Sequence, residues 1–215
     1  MNRTNIRSTE ACYVSTVLAQ GLRDARGNLF ITALSGVTGS FERALVESSR
    51  VLAVRGQVLP STLADVTLVA DVRQIAGNGT RRVTGESTIP KTIGTVDRVF
   101  LQPDDVPAYP DAVRAILDAD LIVLGPGSLF TSILPNLLVP GIAEAVRASP
   151  AHKVYVCNIA TQQGETVGFD VRDHVKAIEQ HVGPGALDDL GDRVRLRTAR
   201  EGQLCAEGTS VGPGE

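Results

Sequence analysis

LIVLGPGSLFTSILPNLLVP, residues 121–140, decides the architecture. A compact apolar run, Leu121-Ile122-Val123-Leu124, breaks off at Gly125-Pro126-Gly127, and Ser128, Thr131 and Ser132 follow it. Open α/β sheets bind ligands at the carboxyl edges of their strands. A buried strand that delivers a glycine-rich, hydroxyl-bearing loop to that edge builds an anion site. Glycines let backbone N–H groups come close to a phosphate. The stretch therefore predicts a phosphorylated ligand for this chain, or for an ancestor of it.

Outward from that loop, the pattern is strand, helix, strand, helix. A helix is expected at 140–149, with Ile142, Ala145 and Val146 on one side. KVYVCN, 153–158, reads as the next strand, Thr161 to Gly168 as a polar loop, and 171–182 as a helix carrying Val175, Ile178 and His181 on one face. This order predicts parallel pairing with a right-handed crossover. Upstream, helices are expected at 28–37, 40–53 and up to Ala119, and a short one at Val14 to Leu22. Asp65 to Val72 and Arg82 to Ser87 read as a β-hairpin closed through Gly77-Asn78-Gly79, and RVFL, 98–101, as a further strand. The tail from Gly191 is charged and then glycine-rich, which predicts disorder.

Bulk composition narrows the class. The 215 residues suffice for one sizeable domain. Aromatics are only 4% and Trp is absent, so the core must be aliphatic. A net charge of −3, with no basic stripe, argues against nucleic acid. No apolar run reaches the length of a membrane span, and the N-terminus has no signal-peptide core. Cys12, Cys157 and Cys205 are odd in number and far apart, which argues against a disulfide framework and fits a reducing cytoplasm. His152, His174 and His181 have no metal-ligand spacing, so no metal is expected.

Residues 118–149 (DADLIVLGPGSLFTSILPNLLVPGIAEAVRAS), 153–169 (KVYVCNIATQQGETVGF), 55–60 (RGQVLP) and 27–45 (GNLFITALSGVTGSFERAL) resemble the CofD-like superfamily. The nearer likeness is to its bacterial branch, the YvcK-type gluconeogenesis factors. The resemblance implies a doubly wound, mostly parallel, Rossmann-related α/β sheet over 27–190, with the hairpin as an insertion. It implies a cytoplasmic protein that regulates cell shape and cell-wall carbon allocation, and a UDP-sugar or other nucleotide as ligand rather than a tightly held cofactor. Homo-oligomers follow by the same analogy. The archaeal-type branch implies an alternative, a transferase that moves phospho-lactate in coenzyme F420 synthesis. Family members open with a strand, a GGGTGL-type loop and an Asp-Asp-Gly-Gly segment. None of these is present, and Arg23-Asp24-Ala25-Arg26 stands where Gly-His-Ser is usual. Residues 1–26 thus read as an atypical segment, with the first βα unit missing. That leaves a non-functional truncated fragment as a third reading. Whether any catalysis survives is open, and no catalytic residue is assigned.

The candidate ligand residues are Gly125, Gly127, Ser128, Leu129, Thr131, Ser132 and Asn136 in the first loop, Asn158 and Thr161 in the second, and Gly27 and Asn28 at a helix start. Each has a plainer reading. Gly-Pro-Gly makes tight turns, and Thr131, Ser132 and Asn28 can cap helices. Asn136 can serve the ligand or the loop's own hydrogen bonding. Cys157 reads as a small buried apolar group and His174 as a partly exposed helix residue. Asp118 and Asp120 lie at the amino edge of the sheet, the wrong end for the ligand; Asp104, Asp105, Asp188 and Asp189 read as solvated loop acids.

Overall fold

The computed structural model describes residues 11–14, 25–51, 56–74, 79–187, 194–199 and 203–208. In chain order the elements are β1 (Ala11–Val14), α1 (Ala25–Thr38), α2 (Phe41–Val51), β2 (Thr67–Arg73), β3 (Thr80–Thr84), β4 (Thr95–Gln102), α3 (Pro110–Leu117), β5 (Leu121–Leu124), α4 (Leu134–Leu137), α5 (Pro140–Ala148), β6 (His152–Tyr155), α6 (Val171–Val182), β7 (Val194–Ala199) and β8 (Gln203–Gly208). A five-residue π-helical turn, Leu129–Ile133, joins β5 to α4.

The parallel sheet has the order β1-β5-β6. Leu124, the last residue of β5, pairs with Val14 on one side and Tyr155 on the other. A central strand with neighbours on both edges can be wholly apolar, and LIVL is; Ile122 and Leu124 are fully buried. A second, antiparallel sheet has the order β3-β2-β4. Its strands alternate, sending Leu68, Ala70, Val72, Val83, Val99 and Leu101 into the same core that holds Ile122, Leu124, Phe130 and Ile133. On the opposite face Arg82 clasps Asp71 with both carboxylate oxygens and lies over the Phe100 ring.

Local signals explain the helix ends. Pro110 and Pro140 sit at the first positions of α3 and α5, where a missing N–H costs nothing. Asp170 and Asp173 form a reciprocal capping box on α6, and Gly183 ends it with φ +81°. Helices α1 and α2 make a hairpin with a small cluster of its own, Ile31, Leu34, Ala44 and Leu45. The Tyr109 hydroxyl ties it to the main body by donating to Glu42 at 2.6 Å. That carboxylate, with lesser help from desolvation, pushes the Tyr109 phenol up to about 12.

The mixed α/β class stands, with these details. Among the described residues the parallel sheet has three strands and a separate antiparallel sheet also three, and the hairpin supplies β2 and β3 of the latter. RVFL belongs to the longer strand β4, beside β2. Residues 11–14 form β1, a parallel partner of β5 ahead of α1, so Val14 is a strand residue; the rest of the helix expected at Val14 to Leu22 lies outside the described residues. The segment beyond 191 was expected to be disordered. Its described residues form the ribbon β7–β8. The Gly77-Asn78 turn and Asp188-Asp189 lie outside the described residues. Among the described residues no single helix is long and apolar enough to cross a membrane.

Candidate functional site

Gly125 starts the loop with φ +107°, and a Cβ on it would stand 2.8 Å from the Val156 carbonyl oxygen. Only glycine permits both the conformation and that approach. The Val156 amide donates to Leu124 O at 2.9 Å. The loop after β5 and the segment after β6 are thereby locked side by side at the carboxyl edge.

Past Gly127 the chain enters the π-helical turn. Its wide pitch shows in Ser128 O, which accepts from both Ser132 N (2.9 Å) and Ile133 N (3.0 Å). Ser128, Leu129, Phe130, Thr131, Ser132 and Ile133 are all buried. Two side chains of the second loop reach this turn. Glu165, only 4% exposed, accepts from the Phe130 N–H at 3.2 Å and from the Thr131 hydroxyl at 2.8 Å. Gln162 donates through Nε2 to Ser128 Oγ at 2.9 Å and accepts at Oε1 from Asn158 Nδ2, also at 2.9 Å. Glu165 is held in place because Gly164 next to it has φ +77° and lies hard against the Pro90 carbonyl.

The structure thus brings Gly125, Gly127, Ser128, Leu129, Thr131, Ser132 and Asn158 into one neighbourhood. Asn136 serves the scaffold: its Nδ2 donates to Ser132 O at 2.8 Å and its Oδ1 accepts from Ser61 Oγ at 2.6 Å. Thr161 is exposed beside this region. Gly27 and Asn28 lie within α1. Helix α1 starts at Ala25, so Asn28 lies inside its first turn and does not cap it. Several donors of the loop are committed internally. The Phe130 amide and the Thr131 hydroxyl go to Glu165, and Ser132 N and Ile133 N to Ser128 O. The Gly127 and Leu129 amides have no hydrogen-bond partner among the described residues, and Ser128 does not cap the turn with its side chain.

Behind the loop runs a row of rings. Phe130 meets Phe169 and His181 edge-on, with centroids 6.1 and 5.9 Å away, and Phe169 meets His174 at 5.6 Å. His181 is fixed in one tautomer. Nδ1 donates to Ala177 O at 2.6 Å, so Nε2 is the lone pair that accepts from the Val99 N–H at 3.0 Å. The β4 edge is closed in this way. His174 is buried, not partly exposed as the helix pattern suggested. Its Nδ1 lies 3.2 Å from Asp170 O and 3.6 Å from Cys157 Sγ, while Nε2 has no partner among the described residues. Burial pulls both imidazoles below the usual histidine range; Asp173 and Asp170 oppose it at His174. Burial also pushes the Tyr155 phenol up. Cys157 is buried, as its apolar reading required.

Gln162 and Glu165 belong to the second candidate loop, but their separate roles do not show in the sequence. TQQGET reads as a polar turn, and in sequence a buried carboxylate cannot be told from a solvated one.

A parallel sheet with a glycine loop at its carboxyl edge, closed by the loop of the next strand, defines an α/β protein of the open-sheet class. The family model described as 2-phospho-L-lactate transferase CofD matches residues 20–200. The chain belongs to the CofD family. It is 49% identical over 164 residues to the gluconeogenesis factor of Bacillus subtilis strain 168, covering 76% of this chain and 50% of that protein. It is 46% identical over 182 residues to the gluconeogenesis factor of Halalkalibacterium halodurans, covering 81% and 55%. A crystal structure of a UPF0052 family member from Bacillus halodurans superposes with a TM-score of 0.68 at 47% identity, covering 77% of this chain and 52% of that one. The chain therefore spans about half the length of these relatives.

Proposed function

We propose that this chain is the nucleotide-sugar-binding part of a gluconeogenesis factor, a cytoplasmic regulator that adjusts carbon supply to the cell wall and so to cell shape. One observation carries the reading: the two loops at the carboxyl edge converge on Ser128, with Gln162 and Asn158 on one side of it and the turn from Leu129 on the other. The Gly127 and Leu129 amides supply donors for a phosphate, and Ser128 adds a hydroxyl. Thr131 and Asn136 support the seat from behind. The relatives' shared name, gluconeogenesis factor, favours regulation of carbon flow. Calorimetric titration with UDP-sugars, GDP and magnesium tests it. Saturable UDP-sugar binding without turnover is the expected result; no heat with any of them rejects it.

The family description favours a second reading, transfer of phospho-lactate from an activated nucleotide. Phosphoryl-type chemistry needs carboxylates that hold a cation, which offsets charge on the phosphates. No Asp-Asp-Gly-Gly segment stands in this sequence to provide them. Turnover of a lactyl-phospho-nucleotide in the same titrations selects this reading over the first.

A further inference from the structure

The Gln162 carboxamide occupies a place that a ligand group can take. Its oxygen receives Asn158 Nδ2 and its nitrogen gives to Ser128 Oγ, both at 2.9 Å. Asn158 and Ser128 thus stand as a donor and an acceptor spaced to fit one amide group. Reversing both side-chain amides keeps the fit, because the donor and acceptor roles exchange together. We infer that Gln162 is an internal surrogate ligand, a gate that vacates the space between Ser128 and Asn158 when an amide-bearing group of the nucleotide ligand enters. The inference rests on the nucleotide-sugar reading of the same site.

Three features make Gln162 able to leave. Its backbone is pinned without the side chain: its N–H donates to Thr166 Oγ1 at 2.9 Å, and its carbonyl accepts from Glu165 N (3.1 Å) and Thr166 N (2.9 Å). The two loops are clasped independently by Glu165 on Phe130 and Thr131. Gln162 and Asn158 are only half-buried, beside the exposed stretch Ile159 to Thr161, whereas Ser128 is buried below them. Exchange of one amide for another conserves hydrogen bonds, and the displaced carboxamide is solvated. A ligand group without a carbonyl to replace Gln162 Oε1 leaves the Asn158 amide short of an acceptor and is disfavoured. In a uridine diphosphate sugar such a group is found in the uracil imide or in an acetamido substituent on the sugar.

The test titrates the wild-type chain and Gln162→Ala with UDP-N-acetylglucosamine, UDP-glucose and N3-methyl-UDP-glucose. Removing the surrogate tightens binding of the amide-matched probe by roughly tenfold, the factor expected when a competing closed state is abolished. If the gain is confined to UDP-N-acetylglucosamine, the acetamido group is the one read. If UDP-glucose shares the gain and the N3-methyl probe loses it, the imide is read. An equal gain for all three probes, or no gain, overturns the gate while leaving the nucleotide-sugar reading intact. No binding by either protein overturns both. In the wild type, the Gln162 side-chain amide resonance should move to its solvent-exposed position at saturation; an unmoved resonance in a ligand-bound protein also rejects the gate.

Discussion

Thr131 Oγ1 donates to Glu165 Oε1 across 2.8 Å, and the same carboxylate accepts from the Phe130 amide at 3.2 Å. All three groups are buried. A carboxylate taken from water is tolerated only when its oxygens are matched by donors, and here they are donors of the glycine loop itself. Glu165→Ala strands both of them. The expected loss of stability is about 2–4 kcal/mol. Glu165→Gln retains one acceptor and should lose about half as much. Equilibrium unfolding in urea measures both; a loss below about 1 kcal/mol for the alanine variant means that the clasp is not what joins the loops.

Gly164 and Gly125 fail as alanine for two reasons at once. Both have positive φ, and added Cβ atoms would overlap the Pro90 carbonyl and stand 2.8 Å from the Val156 carbonyl oxygen. Gly168 also has positive φ, +82°, but nothing within 4 Å of its Cβ position. Gly168→Ala should therefore cost only the backbone term, about 1–2 kcal/mol. Gly164→Ala and Gly125→Ala should cost about 3 kcal/mol or more. Thermal melts of the three variants rank them; a Gly168 variant as unstable as the others contradicts the steric explanation.

His181 links stability to pH. Its neutral Nε2 accepts from the Val99 amide, and burial, first of its causes, lowers its pKa from 6.5. A proton enters the unfolded chain more readily than the folded one. The stabilisation is thus complete above about pH 6.5 and drains away as pH falls through the depressed folded value. His174, also lowered by burial, acts in the same direction. Urea midpoints at pH 7.5 and 5.5 should fall for the wild type. They should fall less for His181→Gln, which cannot gain the proton. Equal pH slopes in the two proteins exclude His181 as a contributor.

The elements around β5 were legible because their signals are local. LIVL with glycine behind it, Ile142, Ala145 and Val146 on one helix side and Val175, Ile178 and His181 on another each mark an element within a few residues. The π-helical turn was not legible. Leu129 to Leu134 is buried on every side, its two hydroxyl residues included, and burial all round erases the periodicity that marks a helix. β1 was hidden for a related reason: four residues of a strand depend on β5 for their pairing, not on their own pattern. Gln162 and Glu165 were legible as loop residues but not by role, because their roles come from partners 34 positions away, Ser128 and Thr131. No spacing rule reaches that far. Asn136 reads in sequence equally as a ligand contact or a loop hydrogen-bonding group, and its contacts with Ser61 and Ser132 are what tie it to the scaffold.

Ser128 and Thr131 separate affinity from stability. Both are buried hydroxyls of one loop. Thr131 is spent on Glu165, so Thr131→Val should lower the unfolding free energy by about 1–2 kcal/mol while leaving UDP-sugar affinity nearly unchanged. The Ser128 hydroxyl faces Gln162, whose half-buried amide can turn to water when Ser128 is truncated. Ser128→Ala should therefore weaken UDP-sugar binding by about 0.5–1.5 kcal/mol with a smaller effect on folding. Paired calorimetric titrations and denaturant melts on the two variants resolve the contrast. If Thr131→Val loses affinity and Ser128→Ala does not, the phosphate seat lies on the Glu165 side of the turn and the present placement is wrong.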